Sequence, residues 1–292
     1  MRNPAVDPGA RPEPSPSAED LAADRIRPLG RLVVALSGGV DSAALLAVAA
    51  RTLGPENVVA VTGRSAAVTE EELDDARRIA ILLGVRHEVV ETHEMERPGY
   101  KMNNGERCFH CRTELFEILE RFARINHFSS IAYGAIVDDL GEHRPGMDAA
   151  RQRGVHAPLL DAGLGKADVR GIAARFELHV KEKPASACLA SRIPVGTTVT
   201  PERLEQVARA ERGLKALGFA IVRVRHHGDV ARIEVAPSEI ARFADEGLRD
   251  LAVRAVREAG FSQAVVDPAG YRPGGGISEG LYSIGPRRDG GQ

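Results

Sequence analysis

The chain has 292 residues, a length that suits two domains or one large domain with tails. Its composition, 43% hydrophobic and 27% charged, is that of a soluble globular protein, and a formal net charge of -2 supplies no basic field for nucleic acid. No apolar stretch is long enough to span a membrane, and the first residues lack the apolar core of a signal peptide. We therefore expect a cytoplasmic protein without a membrane partner and without a nucleic-acid partner.

The first part of the chain predicts a tail followed by an α/β domain. Residues 1–28 are rich in Pro, Ala, Asp and Arg without periodicity, which predicts a flexible tail. Helical patterns then alternate with short apolar segments that predict strands, at residues 32–36, 57–62, 87–90, 130–134 and 179–181. Thr69 and Glu72 form a capping-box pattern at the start of one helix. This alternation predicts a parallel sheet covered on both faces, in a domain spanning residues 29–184.

The pattern changes after Pro184 and predicts a smaller α+β domain at residues 185–272. Thr200 and Pro201 have the residue types of an N-cap and first helical position. Residues 220–235 predict a β-hairpin, with His226 and His227 as turn residues. A helix at 238–259 and a strand at 264–266 follow, and residues 273–292 predict a Gly-rich tail.

Residues 36–42, with the sequence LSGGVDS, form a glycine loop between the first predicted strand and an apolar helix. Gly38 and Gly39 let the backbone approach a ligand, while the helix start directs unpaired N–H groups at the same point. Ser37 and Ser42 add hydroxyl donors, and Asp41 can position a phosphate-bound Mg²⁺. The loop lacks the Lys and spacing of a Walker A motif and also differs from the dinucleotide-binding pattern. It resembles the PP-loop of ATP pyrophosphatases, which split ATP into AMP and pyrophosphate.

Two further candidate ATP-binding residues follow neighbouring strands. Thr62 ends the second predicted strand, and Gly134 ends the strand at 130–134. Parallel sheets bind ligands at the carboxyl ends of their strands, which is where the glycine loop also lies. We therefore include both residues in the predicted ATP site.

The chain has three cysteines, Cys108 and Cys111 in a C-x-x-C pattern and Cys188 alone. This odd, sparse set favours metal or sulfur chemistry over a disulfide framework. A redox dithiol would lie at the first helix of the domain, and His110 is badly placed to complete a zinc site. Two possibilities remain. The three thiolates could hold an iron–sulfur cluster and leave one of its irons open to another ligand, or the three cysteines could be unrelated buried thiols.

Several segments downstream of the PP-loop share a pattern with one family. They are Tyr133-Gly134-Ala135 with Asp138-Asp139, Arg144-Pro145-Gly146, Ala157-Pro158-Leu159, Lys183-Pro184-Ala185 and the block from Cys188 to Pro194 (CLASRIP). Together they resemble the LarE family of ATP-dependent sulfur transferases, over about residues 31–268. The resemblance implies ATP and Mg²⁺, and adenylation of the carboxylates of a nicotinate-derived mononucleotide. Sulfur then converts these carboxylates to thiocarboxylates, during synthesis of the nickel-pincer cofactor of lactate racemase.

The family has two kinds of member, which differ in their cysteines. One has a single cysteine, at the position of Cys188, and sacrifices its sulfur to leave dehydroalanine. The other also carries the C-x-x-C and is thought to hold a [4Fe-4S] cluster on three cysteines. This chain resembles the second kind, with Cys108, Cys111 and Cys188 as implied ligands and catalytic residues. It departs from the family at Ile136, where Asn is usual, and at Val195, where Tyr is usual.

An anionic mononucleotide requires basic residues in the second domain. Arg223 and Arg225 alternate on a predicted strand and so share one face, and Arg192 is close to Cys188 in sequence. Ser191 and Glu211 complete our set of candidate substrate-binding residues. We also expect a homo-oligomer, whose subunit number the sequence does not give.

Three other functions fit parts of the pattern. A PP-loop tRNA thiolase also couples this loop to cysteines, but the near-neutral charge is against it. An amide-forming synthetase of the NAD or GMP type would not need the cysteines. A non-catalytic nucleotide-binding protein with structural zinc would bind ATP without turnover.

Overall fold

The computed structural model describes residues 16–140, 145–184, 187–272 and 282–283. The strands in chain order are β1 Leu32–Ala35, β2 Val58–Arg64, β3 Arg86–Glu91, β4 Ser130–Tyr133, β5 Val222–His227, β6 Val230–Val235, β7 Gln263–Val266 and β8 Tyr282–Ser283. The α-helices are α1 Ala18–Ile26, α2 Val40–Leu53, α3 Glu70–Leu82, α4 Pro98–Met102, α5 Arg107–Ile125, α6 Pro145–Gln152, α7 Pro158–Asp161, α8 Lys166–Arg175, α9 Pro201–Ala216 and α10 Glu246–Glu258. Within these ranges, no helix combines the length and the apolar character needed to cross a membrane.

The first sheet is parallel and has the strand order β3-β2-β1-β4. Alternate residues of β1 enter two apolar cores, because successive side chains of a strand point to opposite faces. Leu32 and Val34 pack with α1, α2, α3 and α8, whereas Val33 and Ala35 pack with α5 and α6. The predicted α/β fold with helices on both faces is therefore confirmed.

The predicted N-terminal tail is too long, because α1 is an ordered part of the first core. Ser17 and Asp20 form a capping box at its start, and Ala22, Ala23 and Ile26 are buried. Three small or branched apolar side chains on one face were enough to dock this short helix. Residues 1–15 lie outside the described part of the chain.

The second sheet has the order β5-β6-β7-β8. β5 pairs with β6 as an antiparallel hairpin, α10 connects β6 to the parallel strand β7, and α9 and α10 cover one face. The predicted C-terminal tail contains β8, which pairs with β7, while residues 273–281 and 284–292 are outside the described ranges. The observed unit is mixed α+β, as the sequence predicts.

Three local predictions in the chain are wrong. His226 and His227 belong to β5, and Gly228, with a φ of 63°, and Asp229 make the turn. The helix predicted at 238–259 is interrupted at Asp245, which is extended and accepts a hydrogen bond from the backbone N–H of Leu248 to cap α10. Residues 179–181 form turns rather than a strand, since Glu177 takes a left-handed φ of 54° and reverses the chain.

The first unit, which contains the parallel sheet, and the second unit, which contains the mixed sheet, share apolar contacts and backbone hydrogen bonds. Ala67 and Tyr100, from the first unit, lie in the core cluster of the second unit. The backbone N–H of Leu189 donates to the carbonyl of Ala67 at 3.0 Å, and that of Val199 donates to Lys101 at 3.1 Å. These contacts hold the segment around Cys188 against the first unit.

Candidate functional site

The glycine loop follows β1 and leads into α2, with Gly39 as the N-cap residue. The backbone N–H of Ser37 donates to Ser42 Oγ at 3.1 Å, and the two serine hydroxyl oxygens are also 3.1 Å apart. Ser42 Oγ donates to the carbonyl of Gly39 at 3.1 Å. The serines therefore brace the loop on the inside, which leaves the α2 N-terminus to receive an anion.

Two glycines are required by close backbone contacts at this loop. Gly38 has a φ of 71°, and a Cβ at this position would lie 2.4 Å from the carbonyl oxygen of Glu72. A Cβ on Gly134 would lie 2.6 Å from the backbone nitrogen of Ser42. Gly134 thus lets the segment after β4 pack directly on the first turn of α2. The predicted neighbours of the loop do meet at one edge of the sheet.

Thr62 lies beside the loop but supports it from within the protein. Its side chain is buried, and its hydroxyl donates to the carbonyl of Leu36 at 2.7 Å. The same oxygen is 2.8 Å from His87 Nε2. The hydroxyl of Thr62 therefore holds the end of β1, where the sequence predicted an ATP contact.

Two lysines flank the loop, and sequence reasoning gave a role to neither. Lys166 Nζ donates to both carboxylate oxygens of Asp41, at 2.7 and 2.8 Å. Lys183 Nζ donates to the carbonyl of Gly38 at 3.2 Å and to Asp75 at 2.6 Å. Both lysines bring positive charge to the place where an ATP pyrophosphate would lie. Lys183 belongs to the Lys183-Pro184-Ala185 motif shared with the family, which could have identified it. No motif or spacing around Lys166 indicates its role.

Asp75 is held by two basic side chains and so stays ionised. His179 Nε2 lies 2.9 Å from it and Lys183 lies on its other side. Burial raises the pKa of the Asp75 carboxyl, but hydrogen bonds from Lys183 and His179 outweigh this, so the pKa is lowered overall. The ionised carboxylate fixes Lys183 against the loop.

Cys111 and Cys188 come from distant segments of the chain and pack against the same buried apolar cluster, whereas Cys108 is exposed. Cys108 and Cys111 lie in the first turns of α5, and Cys188 precedes a 3₁₀ helix, Leu189–Arg192. Burial raises the pKa of the Cys111 thiol, and Cys188, Glu94 and Cys108 raise it further. Burial also raises the pKa of Cys188, with Cys108 adding to the effect, whereas Arg107 and Arg192 oppose it. All three thiols are free.

Two buried polar side chains adjoin these thiols. Tyr100 and Glu94 are 1% and 2% exposed, and their Oη and Oε2 atoms have no hydrogen-bond partner among the described residues. The pKa of Tyr100 is raised by burial first and then by Cys188, Cys111 and Glu94. Two polar atoms near the cysteines are therefore buried without a hydrogen-bond partner among the described residues.

Among the described residues, no three or more His, Cys, Asp or Glu side chains are arranged to hold a single metal ion. A closed zinc site of four ligands is thus not formed there. Cys108, Cys111 and Cys188 are likewise not arranged there as a metal-ligand set, although three thiols without a fourth protein ligand are the residue types of an iron–sulfur cluster with one open iron.

Arg192 and Glu211, both predicted to bind substrate, form a buried ion pair with each other. Arg192 Nε lies 2.9 Å from Glu211 Oε1, and Glu211 also accepts the N–H of Val224 at 2.9 Å. The Arg192 guanidinium donates further to Ser191 Oγ at 2.9 Å and to the carbonyls of Ala187 and Cys188. The pair therefore fixes the segment around Cys188.

Arg223 and Arg225 do share one face of β5, as the alternation predicted. Arg225 donates to Glu234 at 3.1 Å and to the carbonyl of Ser191 at 2.9 Å. Arg223 is half-buried and donates to the carbonyl of Val222, with its guanidinium 5.1 Å from the centre of the Tyr271 ring. Burial and then Arg192 lower its pKa. Among the described residues, Arg223 has no acidic partner within ion-pair distance.

A single cleft connects these groups. Its walls include Glu72 and Lys183, next to the glycine loop, and Arg192, Glu211 and Arg223 from the second unit. Ala187 and Leu189, which flank Cys188, also line it. Arg223 and the residues on both sides of Cys188 therefore line one cleft, and Lys183, which donates to the carbonyl of Gly38, forms its wall next to the glycine loop.

Comparison with known proteins identifies the family. A protein named pyridinium-3,5-bisthiocarboxylic acid mononucleotide synthase from Lactiplantibacillus plantarum is 34% identical over 249 residues, which covers 85% of this chain and 90% of the relative. The chain belongs to the LarE family. An uncharacterised protein of Synechocystis sp. is 39% identical over 246 residues, covering 84% of this chain and 91% of that protein.

The NAD synthase family model matches residues 25–114 of this LarE-family chain. An ammonia-dependent NAD(+) synthetase from Chlorobium phaeobacteroides is 48% identical over 59 residues, which is 20% of this chain and 21% of the synthetase. Both matches are short beside the LarE relative and indicate a shared PP-loop fold. The predicted family and enzyme class, a sulfurtransferase built on a PP-loop domain, are confirmed.

Proposed function

We propose that this LarE-family chain uses ATP to adenylate the carboxylates of a pyridinium dicarboxylate mononucleotide and converts them to thiocarboxylates for nickel-pincer cofactor synthesis. The observation that carries the proposal is the common cleft, which adjoins the glycine loop, Arg223 and the segment around Cys188. The relative named for a bisthiocarboxylic acid mononucleotide supports this substrate class.

In the proposed first step, a substrate carboxylate oxygen attacks the α-phosphorus of ATP and pyrophosphate leaves. The backbone N–H groups at Gly38 and Gly39 and the start of α2 bind the departing pyrophosphate. Lys166 and Lys183 add positive charge, and Asp41 is the carboxylate that would bind Mg²⁺, which would neutralise charge on the phosphates. Adenylation is needed because oxide is a poor leaving group, whereas AMP is a good one.

Arg223 is the proposed binding group for an anionic part of the substrate. The guanidinium of Arg223 is half-buried and lies near Arg192 and Arg225. Among the described residues it has no ion-pair partner of its own, so its positive charge is not paired. A phosphate or carboxylate would compensate it through two parallel hydrogen bonds. Arg225, Ser191, Arg192 and Glu211 shape this site through their mutual contacts.

We propose that a [4Fe-4S] cluster on Cys108, Cys111 and Cys188 supplies the sulfur. Such a cluster would offer sulfide at its open iron, so that the cysteines of the chain would be spared. In either sulfur route, a sulfur nucleophile attacks the acyl carbon and AMP leaves with the bonding electrons of the C–O bond. In the sacrificial route, the Cys188 thiolate attacks, and loss of its Cα proton then breaks the Cβ–S bond and leaves dehydroalanine.

The adenylation step is tested by pyrophosphate release from ATP with the purified protein. Pyrophosphate should form when the pyridinium dicarboxylate mononucleotide is added, and nicotinate mononucleotide, which has one carboxylate, is the matched comparison. Conversion of ATP without pyrophosphate formation, or no conversion with any carboxylate, would contradict the proposal.

The sulfur source is tested by intact-protein mass spectrometry after one anaerobic turnover. Sacrifice of Cys188 would remove about 34 Da, the mass of one sulfur and two hydrogens, and leave dehydroalanine at that position. An unchanged mass, with iron and sulfide present, supports the cluster. Single Cys→Ala variants provide a second test. If the cluster supplies the sulfur, each of the three changes should abolish cluster binding and turnover. If Cys188 is sacrificed, only Cys188→Ala should abolish turnover.

Amide formation is the second candidate function, because the NAD synthase family model matches the PP-loop region. The match ends at residue 114 and does not reach Cys188 or Arg223. Ammonia offered in place of the sulfur source separates the two reactions. Amide product from wild-type protein, without thiocarboxylate, would favour the synthetase.

A further inference from the structure

Asn103 lies between the two segments that carry the cysteines. It follows α4 in a left-handed conformation, with φ 51° and ψ 47°, and is 1% exposed. Residues other than glycine rarely adopt this conformation, although Asn tolerates it better than most. A buried residue held in this way has a specific set of contacts to satisfy.

The side chain of Asn103 joins both segments. Its amide nitrogen donates to the carbonyls of Ile193, Pro194 and Thr197, at 3.3, 2.8 and 3.0 Å. Its amide oxygen accepts a hydrogen bond of 2.6 Å from Nη1 of Arg107. The backbone carbonyl of Asn103 also accepts the N–H of Gly196 at 2.9 Å. One residue thus ties the loop after Cys188 to the first residue of α5.

Arg107 is the residue before Cys108 in sequence and the first residue of α5. Its hydrogen bond to Asn103 fixes the guanidinium at the junction of the two segments. Buried polar contacts of this kind are costly to remove, because each carbonyl left without a donor loses a hydrogen bond. The contact set therefore specifies one relative placement of Cys188 and the C-x-x-C.

We propose that Asn103 is the positioning residue that holds the Cys188 segment close to the C-x-x-C at the start of α5 for sulfur transfer. The role in transfer rests on the proposed function, whereas the placement of the thiols can be measured without it. A shift of about 1 Å at a reacting centre can cost about 10²-fold in rate, so the transfer step should depend strongly on this residue.

Two variants separate the side chain from the backbone. Asn103→Gly accepts the left-handed φ without strain and removes every side-chain hydrogen bond. Asn103→Asp keeps the size of the side chain and the acceptor for Arg107 but replaces the donor to the three carbonyls. His127→Gly is the control, because His127 also has a positive φ, of 57°, and is exposed at the surface.

The first measurement is cross-linking of metal-free full-length protein by dibromobimane, a short reagent that joins two thiols. Peptide mass spectrometry should show Cys188 joined to Cys108 or Cys111 in wild-type protein and in His127→Gly. The yield should fall at least about fivefold in both Asn103 variants, as expected when the hydrogen bonds that fix the two segments are lost. Equal yields in wild type and both variants, or no cross-link in wild type, would overturn the proposal.

The second measurement compares the two half-reactions. Pyrophosphate release in the Asn103→Asp protein should stay within about threefold of wild type, while thiocarboxylate formation falls about 10²-fold. An equal loss of both rates would indicate general damage and overturn the positioning role. If wild-type protein forms no thiocarboxylate, the proposed function fails, and the cross-linking result still decides the placement of the thiols.

Discussion

Lys166 Nζ lies 2.7 and 2.8 Å from the two carboxylate oxygens of Asp41, although 125 positions separate the residues in sequence. Asp41 lies in the first turn of α2, and Lys166 begins α8. Both side chains are about 30% exposed, so the pair itself adds little stability, on the order of 0–1 kcal/mol. The pair instead fixes the position of the Lys166 ammonium group, beside the loop where we propose that pyrophosphate binds.

Lys166→Met should therefore impair catalysis far more than folding. We expect pyrophosphate release to fall about 10²-fold or more, as is usual when one transition-state donor is lost. A coupled pyrophosphate assay measures this, and thermal unfolding should shift little. The control is Arg170→Met, which removes an exposed cation one turn further along α8. Equal rates for Lys166→Met and wild type would remove Lys166 from the reaction.

Arg223→Ala should weaken binding of the mononucleotide and leave ATP binding intact. Loss of a charge-assisted hydrogen bond costs about 1.5–3 kcal/mol, so the Kd should rise at least tenfold. Arg223→Lys keeps the charge but loses the planar fork and should give an intermediate value. Calorimetry with each ligand gives both affinities. A matching loss of ATP affinity would show that the two ligands do not use separate groups.

Gly134→Ala should disrupt the glycine loop, because its Cβ would lie 2.6 Å from the backbone nitrogen of Ser42. We expect ATP affinity and pyrophosphate release to fall about tenfold or more, since the strained loop no longer presents its donors. Gly171→Ala is the matched control: nothing lies within 4 Å of its added Cβ, and it is exposed in α8. That change should stabilise the protein by about 0.5–1 kcal/mol, which denaturant titration can detect. Retained ATP binding in Gly134→Ala would contradict the packing argument.

Acidification should destabilise the protein before the carboxylates titrate. Burial lowers the pKa values of His87, His226 and His227, with nearby arginines adding to the effect at each. Below about pH 6.5, where these side chains protonate in the unfolded chain, the unfolded state binds more protons and stability falls. Urea unfolding at pH 7.5 and 5.5 measures the loss. His87→Gln should reduce it, and the exposed His127→Gln provides the substitution control; a loss unchanged by His87→Gln would refute the assignment to His87.

Local patterns in the sequence predicted much of the fold and part of the site. The strand, glycine turn and helix around residues 32–53 follow from apolar runs and from the backbone freedom of Gly38. The capping box of Thr69 and Glu72 is present as predicted. Helix α1 was missed because three buried apolar side chains in nine residues do not stand out from a Pro-rich flank, and a helix this short depends on its docking against the first core.

The sequence by itself determined the family, the phosphate loop and the shared face of Arg223 and Arg225, because each depends on residues close together along the chain. Tertiary structure decided which polar groups are free. It pairs Arg192 with Glu211, turns the Thr62 hydroxyl into the protein, and leaves Arg223 without an acidic partner in the described part of the chain. It also joins Lys166 to Asp41, and it ties the loop at residues 193–197 to Arg107 through the side chain of Asn103. These pairs join segments that are far apart in sequence and meet only when the apolar cores pack. Local sequence patterns therefore do not predict them.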